Sequence, residues 1–237
     1  MREDGEQSAV RKRKAAVCIQ ICLLLLLSAC TDPMGKRGGE ESQVMSTQDL
    51  TVEPTGTDVD VFSCDAVFFG DSITADSDFG EYYPRLSLVN LGVYGDTLED
   101  LQRRVKQVRA ENPARIFLMG GINSLRDGNS KACLQQYRGV LEALRAACPR
   151  AKIILQSVLP VGADIESLLG CHNDTVRAFN AGLRSLAAEY GCSYVDLYSA
   201  YEKDGALDPA LTRDGVHLNY NAYGPWAEAI ASYLPAN

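Results

Sequence analysis

The chain has 237 residues, a formal net charge of −8, a pI near 4.9 and eight cysteines. That length suits one domain of roughly 180 to 200 residues with a sizeable core, plus appendages. The acidic balance, with no basic stripe beyond the first forty residues, argues against a nucleic-acid binder, because phosphate backbones need a cationic face.

The amino end reads as a targeting segment, residues 1–29. Arg11-Lys12-Arg13-Lys14 is followed by an apolar run from Ala15 to Leu27. Its 13 residues fall short of the roughly 20 that a membrane-spanning helix needs. The run ends in Leu27-Ser28-Ala29-Cys30, which resembles the lipobox of bacterial lipoproteins. The resemblance implies cleavage before Cys30, lipid on that cysteine, and an exported domain anchored to a membrane of the cell envelope. An ordinary secretory peptide cut after Ala29, or an uncleaved anchor, is the alternative. Cleavage would remove five basic and three acidic side chains, moving the formal charge from −8 to about −10. Residues 30–57 are polar, without periodic apolar positions, and read as a flexible tether with a reach of roughly 25 to 30 Å. The folded domain is expected over residues 58–237.

Cys18 and Cys22 would leave with the leader, and Cys30 would carry lipid. Cys64, Cys133, Cys148, Cys171 and Cys192 remain, an odd number. Two disulfides and buried reduced thiols fit equally well. No CxxC or Cys/His spacing suggests a metal, and no cofactor is expected.

From Asp58 onward short apolar runs alternate with amphipathic stretches, the pattern of βα units. Ala66–Phe69 predicts a first strand that stops at Gly70 and presents Ser72. The run 86–93 predicts a second, leading to Tyr94-Gly95-Asp96-Thr97. Thr97 is a good N-cap for a helix carrying Leu98, Leu101, Val105 and Val108. Within it Arg103, Arg104 and Lys106 sit among acids and read as a solvated face. Arg115–Met119 predicts a third strand, closing on Gly121-Ile122-Asn123-Ser124. A helix marked by Leu134, Tyr137, Val140, Leu141 and Leu144 stops before Pro149. Ile153–Leu155, continuing through Pro160, predicts a fourth strand. A long loop from Val161 to Asn173 precedes a helix with Val176, Phe179, Leu183 and Leu186. Tyr194–Leu197 predicts the fifth strand, and a helix from about Ala222 to Leu234 ends the chain. Five parallel strands with right-handed crossovers imply a three-layer α/β/α sandwich, whose ligands sit at the strands' carboxyl ends.

Four blocks in order carry a family resemblance: Gly70-Asp71-Ser72-Ile73, then Gly95 in Asn-Leu-Gly-Val-Tyr-Gly-Asp-Thr, then Gly121-Ile122-Asn123, then Asp214-Gly215-Val216-His217. Any one is weak, since Asp-Gly is usually a turn. Together they resemble the SGNH, or GDSL, hydrolases over the whole domain. The wording of the blocks is closest to the branch of acetylesterases and platelet-activating-factor-acetylhydrolase-like enzymes. The resemblance implies a flavodoxin-like sheet and Ser72 as nucleophile, with His217 as base and Asp214 orienting it. It assigns the oxyanion hole to the N–H groups of Ser72 and Gly95 and the amide of Asn123. The third block departs from the commoner Gly-x-Asn-Asp in having Ser124.

The residue types suit this chemistry. A serine hydroxyl needs a base within hydrogen-bond reach, and the only histidines are His172 and His217. His217 has a carboxylate three residues earlier that could fix its tautomer. A glycine at 95 suits close backbone approach. His172 reads as an exposed loop residue, with a substrate contact as the sharper alternative. Tyr82 and Tyr83 fit either the pocket entrance or the core. Trp226 reads as packing of the last helix, Gly92 as a strand-end glycine, and Asp71 as a buried partner that shapes the Ser72 turn.

The expected function is cofactor-free ester hydrolysis through an acyl-serine, on short acyl groups such as acetyl esters of carbohydrates. A lysophospholipase or thioesterase for longer chains is the alternative use of the same site. An inactive glycan-binding module is the alternative of another class.

Overall fold

The first strand, β1 (Ala66–Gly70), is buried at every position, as an uninterrupted apolar sequence requires of a strand covered on both faces. A computed structural model describes residues 61–236, which from Phe62 on form one compact unit. The leader, the tether and Cys30 lie outside the described residues. After β1 come α1 (Ser72–Ala75), β2 (Leu88–Gly92), α2 (Leu98–Glu111), β3 (Arg115–Met119), α3 (Ser130–Ala147) and β4 (Lys152–Gln156). The series continues with α4 (Glu166–Leu169), α5 (Asn173–Tyr190), β5 (Ser193–Val195), α6 (Tyr198–Tyr201), a β6–β7 hairpin (Glu202–Lys203 and Ala206–Leu207) and α7 (Gly224–Ile230).

The five long strands pair in parallel in the order β2-β1-β3-β4-β5. This is the doubly wound sheet expected from the sequence. The chain leaves β1 toward one edge and returns past it to β3, so the topological switch point lies between β1 and β3, where such sheets bind ligands.

Strand alternation decides what each face packs against. Phe68 stacks on Phe79 of the β1–β2 connection, with ring centroids 4.4 Å apart, and Phe79 meets Trp226 of α7 edge-on at 5.4 Å. Phe69, the next residue, lies under the guanidinium of Arg104 from α2, 5.0 Å away. The layer containing α2 continues through α3 to α5, each packed on the next. Thr97 caps α2 in a reciprocal box, accepting from the Asp100 amide while the Asp100 carboxylate accepts from the Thr97 amide.

Several boundaries differ from the expected ones. β2 is shorter than 86–93, and β4 stops at Gln156. Beyond it Ser157 Oγ accepts from the amides of Leu197 and Tyr198, at 2.8 and 2.7 Å, so this segment pins the chain after β5. The terminal helix is also shorter. Pro225 sits in its first turn, where a missing N–H costs nothing, and 3₁₀ turns flank it at Tyr220–Ala222 and Ala231–Tyr233. The five cysteines 64, 133, 148, 171 and 192 are free thiols, all but Cys192 buried.

Candidate active site

Ser72 opens α1 directly beyond β1. Asp71 is the N-cap, 1 % exposed, and its Oδ1 accepts from the Ile73 amide at 3.1 Å. Two glycines seat this short helix. A Cβ at Gly70 would lie 2.2 Å from the Met119 carbonyl oxygen, and one at Gly92 would lie 2.2 Å from the Ala75 backbone nitrogen. Gly92 therefore does more than end a strand, since it lets the backbone of α1 rest on β2.

His217 reaches Ser72 from a loop 145 residues further on. Its Nε2 is 2.9 Å from Ser72 Oγ, and its Nδ1 is 2.8 Å from Asp214 Oδ2. The other oxygen, Asp214 Oδ1, accepts from the amides of Val216 and His217 at 2.9 and 2.8 Å. Burial works against ionisation of Asp214, but its bonds with His217 and the two backbone amides outweigh that and hold the carboxyl at about 2. Gly215 supplies the turn with φ +88°. Thr212 Oγ1 donates to the His217 carbonyl at 2.7 Å and accepts from the Gly215 amide at 2.9 Å. The Gly162 amide, from the loop after β4, donates to the Gly215 carbonyl at 2.7 Å.

Gly95 and Asn123 stand beyond β2 and β3. Gly95 has φ +79°, and a Cβ built on it would meet nothing within 4 Å. The backbone conformation selects glycine here, and its flank faces open space. Asn123 Nδ2 donates to the Asp96 carbonyl at 2.9 Å. An amide nitrogen carries two hydrogens, so this bond orients the group and leaves one donor. Ser124 has a structural job: its Oγ accepts from the Leu98 amide at 3.0 Å, satisfying a first-turn donor of α2.

Arg104 corrects the reading of a solvated basic face. Arg103 is exposed beside Glu99 and Asp100, whereas the side chain of Arg104 is only 16 % exposed. Arg104 pairs with Asp96 and donates to the carbonyls of Leu91 and Gly70, bracing the turns after β1 and β2. Helical spacing alone could not separate neighbours that point in different directions.

His172 is exposed and bonds Glu166 at 3.1 Å, so it is a loop residue tied within its own segment. Tyr83 is core, donating to the Ala227 carbonyl, and the Tyr82 ring lies 6.5 Å from that of Phe79. Trp226 is fully buried and donates from Nε1 to Gln156 at 2.6 Å. Sequence reasoning missed Asp76, Tyr94 and Arg213, which meet beside His217. Their only signal was adjacency to the blocks: Asp76 four residues past Ser72, Tyr94 before Gly95, Arg213 before Asp214. Among the described residues no group of three or more His, Cys, Asp or Glu is arranged to hold a metal, and no helix is long and apolar enough to cross a membrane.

The doubly wound sheet thus presents a hydrogen-bonded Ser-His-Asp series at its switch point, where open α/β sheets bind their ligands. The model of the GDSL-like lipase/acylhydrolase family matches residues 68–224. The chain belongs to that family and is a carboxylic ester hydrolase. No curated protein matches the sequence. Solved structures share the fold. A GDSL-like lipase from Bacteroides thetaiotaomicron has TM-score 0.62 and 21% identity over 72% of this chain and 87% of its own. A member of the lipolytic G-D-S-L family from Veillonella parvula has 0.56 and 22% over 71% and 96%. A point mutant of an acetyl-xylooligosaccharide esterase from Geobacillus has 0.56 and 22% over 74% and 98%.

Proposed function

We propose that Ser72 hydrolyses short-chain carboxylic esters, acetyl esters of carbohydrates foremost, through an acyl-serine intermediate. The observation that carries this reading is the unbroken series Ser72 Oγ, His217 Nε2, His217 Nδ1, Asp214 Oδ2 at 2.9 and 2.8 Å. Ser72 Oγ attacks the ester carbonyl and passes its proton to Nε2, while Asp214 holds the Nδ1–H and stabilises the imidazolium. The tetrahedral oxyanion is held by the amides of Ser72 and Gly95 and the free hydrogen of the Asn123 amide. Collapse releases the alcohol with the proton from Nε2, and water then cleaves the acyl-serine with the same base.

Two features support a sugar on the alcohol side. Tyr94, 54 % exposed, has its ring 6.4 Å from that of His217, and Tyr220, 74 % exposed, lies against Arg213. An exposed aromatic ring beside His217, as Tyr94 is, suits the C–H face of a sugar. The likeness to an acetyl-xylooligosaccharide esterase points the same way. Ser72→Ala should abolish hydrolysis of 4-nitrophenyl acetate in a folded protein, and appreciable residual turnover would overturn the mechanism. Preference for the octanoyl over the acetyl ester would reassign the enzyme to long acyl chains.

The same reading puts the enzyme in the bacterial cell envelope, anchored through lipid on Cys30. The support is the Leu27-Ser28-Ala29-Cys30 motif behind a short apolar run. Cys30→Ala should release the protein from membranes; unchanged partitioning would remove the anchor.

A further inference from the structure

Asp76 is the C-cap of the nucleophile's helix, and its backbone amide donates to the Ser72 carbonyl at 3.1 Å. Its side chain is 3 % exposed, and both carboxylate oxygens are taken. Oδ1 accepts from the Tyr94 hydroxyl, and Oδ2 accepts from Arg213. Tyr94 precedes Gly95, the oxyanion-side glycine. Arg213 precedes Asp214 and is woven into the histidine's loop: its amide donates to the His217 carbonyl at 3.1 Å and its Nη1 to the Leu218 carbonyl at 2.8 Å. The three segments that bear the nucleophile, the oxyanion glycine and the base therefore converge on one buried carboxylate. Each segment belongs to a different loop, and nothing in their local sequence fixes their mutual distance.

We propose that Asp76 is a positioning residue, a clamp that sets the oxyanion loop and the histidine loop at their working separation around Ser72. The proposal rests on the reading of Ser72, His217 and Gly95 as the reacting machinery. Loss of the carboxylate frees Tyr94 and Arg213 to move apart and leaves both loops anchored elsewhere, so the fold survives while the geometry of attack slackens. A displacement of about 1 Å in such a site lowers the rate by up to about 100-fold.

The test compares the wild type with Asp76→Asn, Tyr94→Phe and the double variant. Each is assayed for kcat on 4-nitrophenyl acetate per serine titratable with a fluorophosphonate, for KM, for the rate of fluorophosphonate labelling, and for its unfolding midpoint. Asp76→Asn should lower kcat and labelling rate about 10- to 100-fold with KM within about threefold. Tyr94→Phe, which removes one hydroxyl from the surface side of the clamp, should lose several-fold with an unchanged midpoint. The double variant should be no worse than Asp76→Asn, because both changes break one link. Wild-type kcat per titrated site in folded Asp76→Asn, or losses that multiply independently, would overturn the clamp. If Asp76→Asn does not fold, Tyr94→Phe decides alone, and a wild-type rate there overturns it. Turnover by Ser72→Ala equal to wild type would sink the serine mechanism instead, whereas an active wild type with an equally active Asp76→Asn sinks only the clamp.

Discussion

Two carboxylates in neighbouring parts of the site are pulled in opposite directions. Burial pushes Asp71 up to about 7 against the lowering effects of the Ile73 amide and His217, while Asp214 is held at about 2. Both start from an ordinary value of 3.8. Between about pH 4 and 7 the native state keeps a proton on Asp71 that the unfolded chain has lost, so stability falls as pH rises through that window. Asp214 does the reverse: its contribution is present above about pH 4 and is lost as pH falls toward 2. Asp71→Asn keeps the N-cap acceptor and removes the titration, so urea unfolding at several pH values should show a flatter profile between about pH 4 and 7. A slope equal to the wild type's would show that Asp71 is not what titrates there. Asn123→Ala should lower kcat about 10²- to 10³-fold with KM little changed, because the oxyanion donor proposed at Asn123 is needed only once charge develops on the substrate oxygen. A loss confined to KM would place Asn123 in ground-state binding. Ser72, Asn123, Asp214 and His217 were legible as candidates because each closes an apolar run or a turn. The partners that hold them, Asp96 and Asp76, were not, because a carboxylate on a surface turn and one sealed under two loops read alike in sequence.

The short helix that carries Ser72 owes its place to the strands beneath it. Gly92 lies under the peptide between Thr74 and Ala75, so an added methyl must displace backbone on one side or the other. Gly92→Ala should cost about 1–3 kcal/mol in urea unfolding and depress kcat by more than that stability loss accounts for, since the atom that gives way belongs to the helix of Ser72, the proposed nucleophile. Unaltered kcat in a destabilised protein would show that β2, not α1, moves. Elements with a strong period were legible: β1 and β3 as apolar runs, and α2, α3 and α5 as stripes of Leu, Val, Tyr and Phe that became buried faces. Those too short to hold a period were not, namely α4, α6 and the β6–β7 hairpin of two residues a side. Such pieces take their shape from what they pack on.

The whole described domain is held by one continuous apolar core rather than by covalent staples. Its cysteines behave as small apolar side chains, with burial pushing the Cys64 and Cys171 thiols up to about 11. Reductant should leave the thermal midpoint unchanged, and thiol alkylation of the folded domain at neutral pH should be slow at the four buried cysteines. A midpoint that drops on reduction would reveal a disulfide. By itself the sequence determined the βα alternation, the doubly wound sheet and the four turns that could bear the chemistry, because strand burial and turn residues are local properties of the chain. Only the tertiary structure decided that Ser72 and His217, 145 residues apart, lie within a hydrogen bond, that Arg104 turns inward, and that Asp76 joins three loops. Those outcomes depend on which distant segments the sheet order brings together, and no local pattern records that.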